Sequence, residues 1–333
     1  MHDTIGATMD RGLEAIVDSH MPLRYAEGAD DALDRPAAVR SASSLAWVPG
    51  GIALVQDDAN FIGVFDPSGA RTRAIALPAG HEGRRLFDDQ RGNKAHKLDL
   101  EACVAVENEG DTLLLALGSG STRRREQVVL VRGWATGTPT VECVHLPRLY
   151  DALRAEQAFS GSELNVEGAI VDGDRLRLFG RGNGAPRLGV LPANATCELD
   201  WTSFLAHVLD PARCTVPTLT GVVRYDLGTL EGVPLGFTDA AVWRGGTLYS
   251  AAAEESPDAV RDGRVAGSVV GVIDHAGGAR WAPLVETSGR MFDGKVEGMV
   301  VTRGASDRLL VVVDADDPGA GSTLCGVRLS GDW

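Results

Sequence analysis

Four carboxylates stand at the mouths of short apolar runs in this 333-residue chain: Glu101 in LDLEACVAV, Glu167 in LNVEGAIV, Asp239 in GFTDAAVW and Glu297 in GKVEGMVV. A buried strand has no structural need for an acid there, because desolvating a carboxylate is costly unless it is paired. A turn acid accounts for any single copy. Four copies in register point to one shared site. Carboxylates that converge on one axis repel each other and need a bound cation, shared protons or basic partners. Oxygen ligands of this kind favour calcium, with magnesium, manganese or zinc as alternatives. The predicted metal set is Glu101, Glu167, Asp239 and Glu297, joined by Glu254 from the run LYSAAAEES and by Asn165 two residues before Glu167.

Basic residues cluster around these acids. RGNKAHKLDLEA carries Lys94, His96 and Lys97, FGRGNG carries Arg181, and Lys295 stands two residues before Glu297. Lys97, Arg181 and Lys295 are predicted to neutralise an anionic substrate or leaving group, and His96 or Asp99 to take a proton from water. Alternation along a strand puts Asp99, Asn165, Phe237 and Lys295 on the same face as the key acids, one step nearer the mouth. Loops after the second strands add Asp57, Asp58, Asn60, Ser119, Ser121, Asn183, Asp314 and Asp316. Plainer readings stand beside these. Arg123, Arg124 and Arg125 read as a solvated loop, His96 as a structural histidine, and Asp314, Asp316 and Asp317 as a turn cluster. No phosphate-loop or dinucleotide fingerprint is present, and FSGSE at Phe159 does not meet the nucleophile-elbow pattern.

The elements that carry these residues repeat. Ser44, Glu101, Glu167, Asp239 and Glu297 are spaced by 57, 66, 72 and 58 residues. Each opens a short strand, followed by a polar turn, a more apolar strand and a third strand such as FIGVFD, QVVLVRG, RLGVLP, GSVVGVID or TLCGVRL. Edge strands such as TRAIALP and TVECVHLP follow in most units. Four-stranded units at this period predict an all-β propeller with five recognisable blades, six remaining possible. The blades fall near residues 41–80, 97–147, 163–233, 235–288 and 293–331 of a single domain spanning 1–333. The fifth lacks an outer strand, and residues 12–26 are predicted to supply it and close the ring. The stretches from Arg148 and from Asp200 read as helical insertions. In a propeller the first strand of each blade lines the central channel, so the key acids would form a ring.

Composition bounds the partners. The formal charge of −14 disfavours nucleic acid and anionic membranes, and part of it is expected to bind a cation. Five scattered cysteines without a CxxC spacing give no disulfide framework or zinc knuckle. Cys103 and Cys325 read as small buried hydrophobes. No apolar run approaches a membrane span, and the N-terminal residues lack a leader pattern, so a cytoplasmic protein is expected. Nothing in the sequence sets the oligomeric state.

The VEG openings and the LYSAAAEES closing resemble those of the β-propeller phytases and esterase-like phytases. That resemblance implies calcium held by strand-mouth acids in a cleft at the channel end, with the metal binding phosphate and activating water. It carries over to Glu101, Glu167, Asp239, Glu297 and Glu254. Ser44 in place of an acid and five blades in place of six depart from it. VQDDANF, RGNKAHKLDLEA and SELNVEGA also look like a bacterial family of propellers without an assigned reaction. Phosphotriesterase and lactonase propellers are a second likeness, in which Asn60, Asn165 and Asn183 would play amide roles. The expectation is a divalent-metal-dependent hydrolase of a small anionic phosphoester or related ester. The alternatives are a calcium-dependent lactonase-like esterase and a non-catalytic propeller that binds a small ligand or a protein.

Overall fold

Apolar runs separated by tight turns fold as antiparallel strands. Two of the turns, Glu109–Gly110 (φ 50° and 84°) and Arg244–Gly245 (φ 43° and 82°), have both central residues in the left-handed region. That geometry matches the twist of a two-residue hairpin. The computed structural model describes residues 4–69, 71–256, 258, 263–305, 307–314 and 319–333; Asp316 and Asp317 lie outside them.

The strands form five blades. Blade 1 runs Ala42–Val48, Gly51–Gln56, Phe61–Phe65 and Arg71–Ala76 from the axis outward, with Arg24–Tyr25 parallel on its outer edge. Blade 2 is Leu100–Asn108, Asp111–Gly118, Gln127–Arg132 and Thr140–His145. Blade 3 is Val166–Asp172, Arg175–Gly180, Asn194–Asp200 and Thr220–Asp226, edged by Thr4–Gly6. Blade 4 is Val233–Trp243, Gly246–Glu254, Val265–Ile273 and Ala279–Glu286. Blade 5 takes Lys295–Val301, Arg308–Asp314 and Thr323–Ser330 from the C-terminal part of the chain and its outer strand, Glu14–Pro22, from the N-terminal part. That strand also pairs in parallel with Ala279–Glu286, joining blades 4 and 5 into one sheet.

The five inner strands pack in cyclic order, with blade 5 against blade 1, and among the described residues there is no sixth blade. The apolar core is accordingly divided into five clusters, one in each wedge between neighbouring blades. Phe237 shows the packing of a wedge. It meets Phe179, Tyr225 and Tyr249 edge-on at centroid distances of 5.4, 5.6 and 5.2 Å between blades 3 and 4. Its expected place in a ring near the mouth is therefore wrong.

The two helical insertions form where expected, as Pro147–Ala155 with Gln157–Ser160 and as Trp201–Leu209. Asp200 caps the latter by accepting from the Ser203 N–H at 2.8 Å. RLGVLP is not the third strand of blade 3. Arg187 and Val190 close a tight turn, and Asn194–Asp200 takes the strand position, burying Ala195, Cys197 and Leu199. Cys103 and Cys325 are buried thiols, as read. Among the described residues no helix is long and apolar enough to cross a membrane.

Candidate functional site

Every inner strand carries a bulge near the channel mouth. The ladder pairs Ala42 and Ser44 with Gln56 and Val55, skipping Ser43. It skips Glu101 between Leu100 and Ala102, Glu167 between Val166 and Gly168, Thr238 between Phe237 and Asp239, and Glu297 between Val296 and Gly298. A bulge re-aims one side chain and leaves its backbone out of the ladder. The equivalent positions are thus Ser43, Glu101, Glu167, Thr238 and Glu297, three carboxylates and two hydroxyls. Ser44 and Asp239, assigned to the ring from the sequence, lie one residue further along.

That offset sends Asp239 to a different task. Its carboxylate accepts from the backbone N–H groups of Ala240 at 2.8 Å and Met299 at 2.9 Å, and from the Ser44 hydroxyl at 3.2 Å. Ser44 Oγ in turn accepts from the Cys103 N–H at 3.1 Å. Asp239 and Ser44 thereby tie blades 1, 2, 4 and 5 together beneath the mouth. Burial pushes the Asp239 carboxyl well above its ordinary range, against the pull of the Met299 and Ala240 N–H groups. Asp239 is absent from the cavity wall. Its assignment to the metal set is corrected: protein donors already occupy the carboxylate.

The mouth is a small polar cavity of about 50 Å³. Among the described residues seven carboxylates line it, namely Asp57, Asp99, Glu101, Glu167, Glu254, Glu297 and Asp314. Four cations accompany them: Lys97, Arg125, Arg181 and Lys295. Lys97 Nζ lies 2.6 Å from both Asp57 Oδ2 and Asp99 Oδ1. Arg125 Nη1 reaches Asp99 Oδ2 at 2.8 Å, and the Ser119 hydroxyl donates to the same oxygen. Asp99 holds φ at 59°, a left-handed position that aspartate tolerates better than most residues. On the far side Arg181 Nη2 meets Glu254 Oε2 at 2.6 Å, and Arg181 Nη1 lies 3.5 Å from Glu167 Oε1. Lys295 Nζ lies 2.8 Å from Glu297 Oε1 and 3.3 Å from Glu254 Oε2. Asn165 donates to Glu167 Oε1 at 2.6 Å.

These neighbours split the carboxylates into two kinds. Burial raises the Asp99 carboxyl, but Lys97 and Arg125 outweigh it and hold the group below its usual range. Burial opposes the charge on Lys97, yet Asp57 and Asp99 more than offset this and lift its pKa well above normal. The bulged glutamates go the other way. Burial raises Glu167 to about 7 despite Arg181 and Lys295. Burial raises Glu297 to about 8 despite Lys295, with Glu167 adding to the rise. Glu101 is pushed well up by burial and then by Asp57, Asp99 and Glu167. Among the described residues no donor reaches the Glu101 carboxylate. Glu101 also belongs, with Asp57 and Asp99, to a trio whose carboxylate oxygens lie within 4.8 Å of one another.

Other expected site residues lie elsewhere. His96 stacks on His81 at 3.7 Å between centroids and meets Arg124, outside the cavity wall. It is not placed to take a proton from water in the mouth. Asp58 turns away to pair with Arg40 at 2.5 Å, and Asp88 binds the same guanidinium. Arg125 was read within a solvated run, but the short turn Arg123–Arg125 buries it in the mouth. Nothing in three consecutive arginines marks which one turns inward.

A model of a protein family, described as a family of unknown function (DUF6929), matches residues 38–329. No curated protein matches the sequence. Similar solved structures include the Myxococcus xanthus glutaminyl cyclase, at 12% identity and TM-score 0.47, with 99% of this chain and 100% of that chain covered. The Podospora anserina α-L-arabinofuranosidase shows 13% identity and TM-score 0.41, covering 96% and 97%. The Pseudomonas aeruginosa periplasmic gluconolactonase shows 14% and 0.37, covering 96% and 99%. No likeness among these reaches a TM-score of 0.5, and no residue role is transferred from them.

Proposed function

The chain belongs to the DUF6929 family, and from its channel mouth we propose a hydrolase that uses a divalent cation to cleave a small ester. The observation that carries this reading is the charge imbalance of the mouth. Among the described residues, seven carboxylates face four cations in one polar cavity, and no protein donor reaches the Glu101 carboxylate. Buried carboxylates in such excess must take up protons or a cation. Asp57, Asp99 and Glu101 are grouped closely enough to share an ion, and their oxygens suit calcium or magnesium.

A cation there would lower the pKa of a bound water and polarise the ester oxygen. Glu167, with a pKa of about 7, suits acceptance of the water proton in its ionised form. Glu297, at about 8, suits donation of a proton to the leaving oxygen. Water oxygen bonds to the acyl carbon or phosphorus as the ester C–O or P–O bond breaks. Lys97, Arg181 and Lys295 are already paired with acids, so their part is to fix carboxylates rather than to bind an anionic substrate. The phytase-like substrate loses support for the same reason, and carboxyl esters and lactones stand level with phosphoesters.

One observation favours a second reading. The Lys97 ammonium sits 2.6 Å from both Asp57 and Asp99, where it can stand in for a metal. The mouth would then be a metal-free binding site for a small polar ligand or a protein segment.

Metal content of protein purified without chelator decides between them, followed by hydrolysis of phosphoester, carboxyl-ester and lactone panels with and without chelator. The hydrolase reading expects a bound divalent ion and chelator-sensitive turnover. It also expects Glu101→Gln to weaken ion binding at least tenfold and to abolish turnover while the fold melts normally. A metal-free and inert wild-type protein would leave the binding-site reading.

A further inference from the structure

Arg181 is a wall shared by two cavities. On its axial side is the mouth. On its other side a groove runs outward between blades 3 and 4, and Arg181, Asn183, Glu254 and Ser256 line both. The chemistry changes along this path. The mouth is walled by charged, amide and hydroxyl groups, whereas the groove adds Pro192, Val233, Pro234, Leu235 and Ala252. Its cavity volume of about 420 Å³ far exceeds the 50 Å³ or so of the mouth. There is room for more of a ligand than the part that reaches the axis.

Gly236 shapes the groove side of this shared wall. A Cβ at that position would lie 2.9 Å from Arg181 Cγ and 3.1 Å from Arg181 Nε, so only glycine lets the arginine stem lie across the groove floor. The Arg181 Nη atoms are committed to Glu254 and Glu167. Its Nε is buried without a partner, on a residue only 5% exposed. A buried N–H left unpaired is destabilising, and an acceptor arriving along the groove would satisfy it.

The loop between Arg175–Gly180 and Asn194–Asp200 walls the groove with both of its ends, through Gly182, Asn183 and Pro192. Glu163 anchors it, accepting from the Ala185 N–H at 3.1 Å and pairing with Arg187. At its tip Leu188 holds φ at 50° and is 105% exposed, and Leu191, bonded to Pro192, is 63% exposed. A leucine in the left-handed region is strained. Full exposure gives it no packing in return, so the tip offers apolar surface beside the groove.

We infer that this groove is the subsite for the apolar arm of an elongate acyl ligand, whose carbonyl accepts from Arg181 Nε–H and whose polar end lies in the mouth. Calling that ligand a substrate, an ester with a medium-length acyl arm, rests on the hydrolase reading; the binding itself does not.

The test is calorimetric titration of the full chain with straight-chain hydroxamic acids from acetyl to octanoyl. These are neutral near pH 7 and present a carbonyl beside the arm. Affinity is expected to rise about fourfold for each added methylene until the groove is filled. Pro234→Trp, on the exposed rim, is expected to flatten the series, with its melting temperature reporting the fold. Ser256→Phe at the junction of the cavities is the second variant should the first not fold. A series that is flat in the unaltered protein, or no binding at any length, overturns the inference. So does a rise that survives both groove variants but disappears in Leu188→Ser/Leu191→Ser, which would mark adsorption to the loop tip. Turnover of the same acyl groups as p-nitrophenyl esters separates the two proposals. Length-dependent binding without turnover keeps the groove and removes the hydrolase, and turnover without length dependence does the reverse.

Discussion

Glu167 and Glu297 make the stability of this protein depend on pH in a direction opposite to that of most paired carboxylates. Burial raises them to about 7 and 8, above the ordinary value of 4.5. The folded protein therefore keeps protons that the unfolded chain releases, and stability falls as pH rises through the window between these values. The contribution is complete below about 4.5 and gone above about 8. Thermal melts in chelator should show Tm dropping by several degrees between pH 5 and pH 9, and Glu297→Gln should flatten that slope. A divalent cation held by Asp57, Asp99 and Glu101 would offset the negative charge these neighbouring glutamates gain as they ionise. Added calcium should therefore raise Tm more at pH 8.5 than at pH 5.5, since at the lower pH it must displace protons. A calcium shift of the same size at both pH values would place the ion beyond electrostatic reach of these glutamates.

At the scale of the strand, the glycine that follows Glu167 and Glu297 matters as much as the acid. A Cβ at Gly298 would lie 2.7 Å from Ser44 Cα and 2.9 Å from Ser43 O, in the inner strand of the next blade. At Gly168 the nearest atom would be Asp239 Cα at 3.2 Å. Backbone meets backbone at the axis, and the bulge turns the preceding acid into the mouth. Gly298→Ala should cost about 1–3 kcal/mol by overpacking, and Gly168→Ala distinctly less, as read from denaturant midpoints. Equal costs would mean that the inner strands can shift apart. The repeat was legible because similar strand mouths recur with a fixed plan, and the glycine because VEG occurs in two of them. The bulge was not, since a one-residue skip leaves the apolar run unchanged. Aligning acids by type therefore put Asp239 in the ring, while its register puts Thr238 there. RLGVLP misled for a related reason. Its apolar residues suit a strand, but Leu188 and Gly189 both take positive φ and turn the chain. Lys97, Arg181 and Lys295 were correctly placed near the acids, but their mutual pairing depends on contacts between blades that no local spacing carries.

The whole ring is held shut by one strand from the opposite end of the chain. Glu14–Pro22 pairs antiparallel with Thr323–Ser330 and parallel with Ala279–Glu286, and buries Ala15 and Val17 in the wedge between blades 4 and 5. Without it, two adjacent outer strands lose their partners at once and leave open edges that invite association. The mouth would feel the loss too, because Lys295 and Glu297 open the blade that this strand completes. The shorter segments Thr4–Gly6 and Thr8–Met9 only add to blade edges that are otherwise complete. Removing residues 1–11 should therefore lower Tm by a few degrees and keep a single cooperative transition. Removing residues 1–22 should abolish that transition and yield aggregating protein, and a peptide of residues 12–26 added in trans should restore part of it. Light scattering and calorimetry on the two truncations are the check. A cooperative, monodisperse melt from the longer truncation would show that the inner strands alone hold the ring, and that the closing strand contributes surface but not closure.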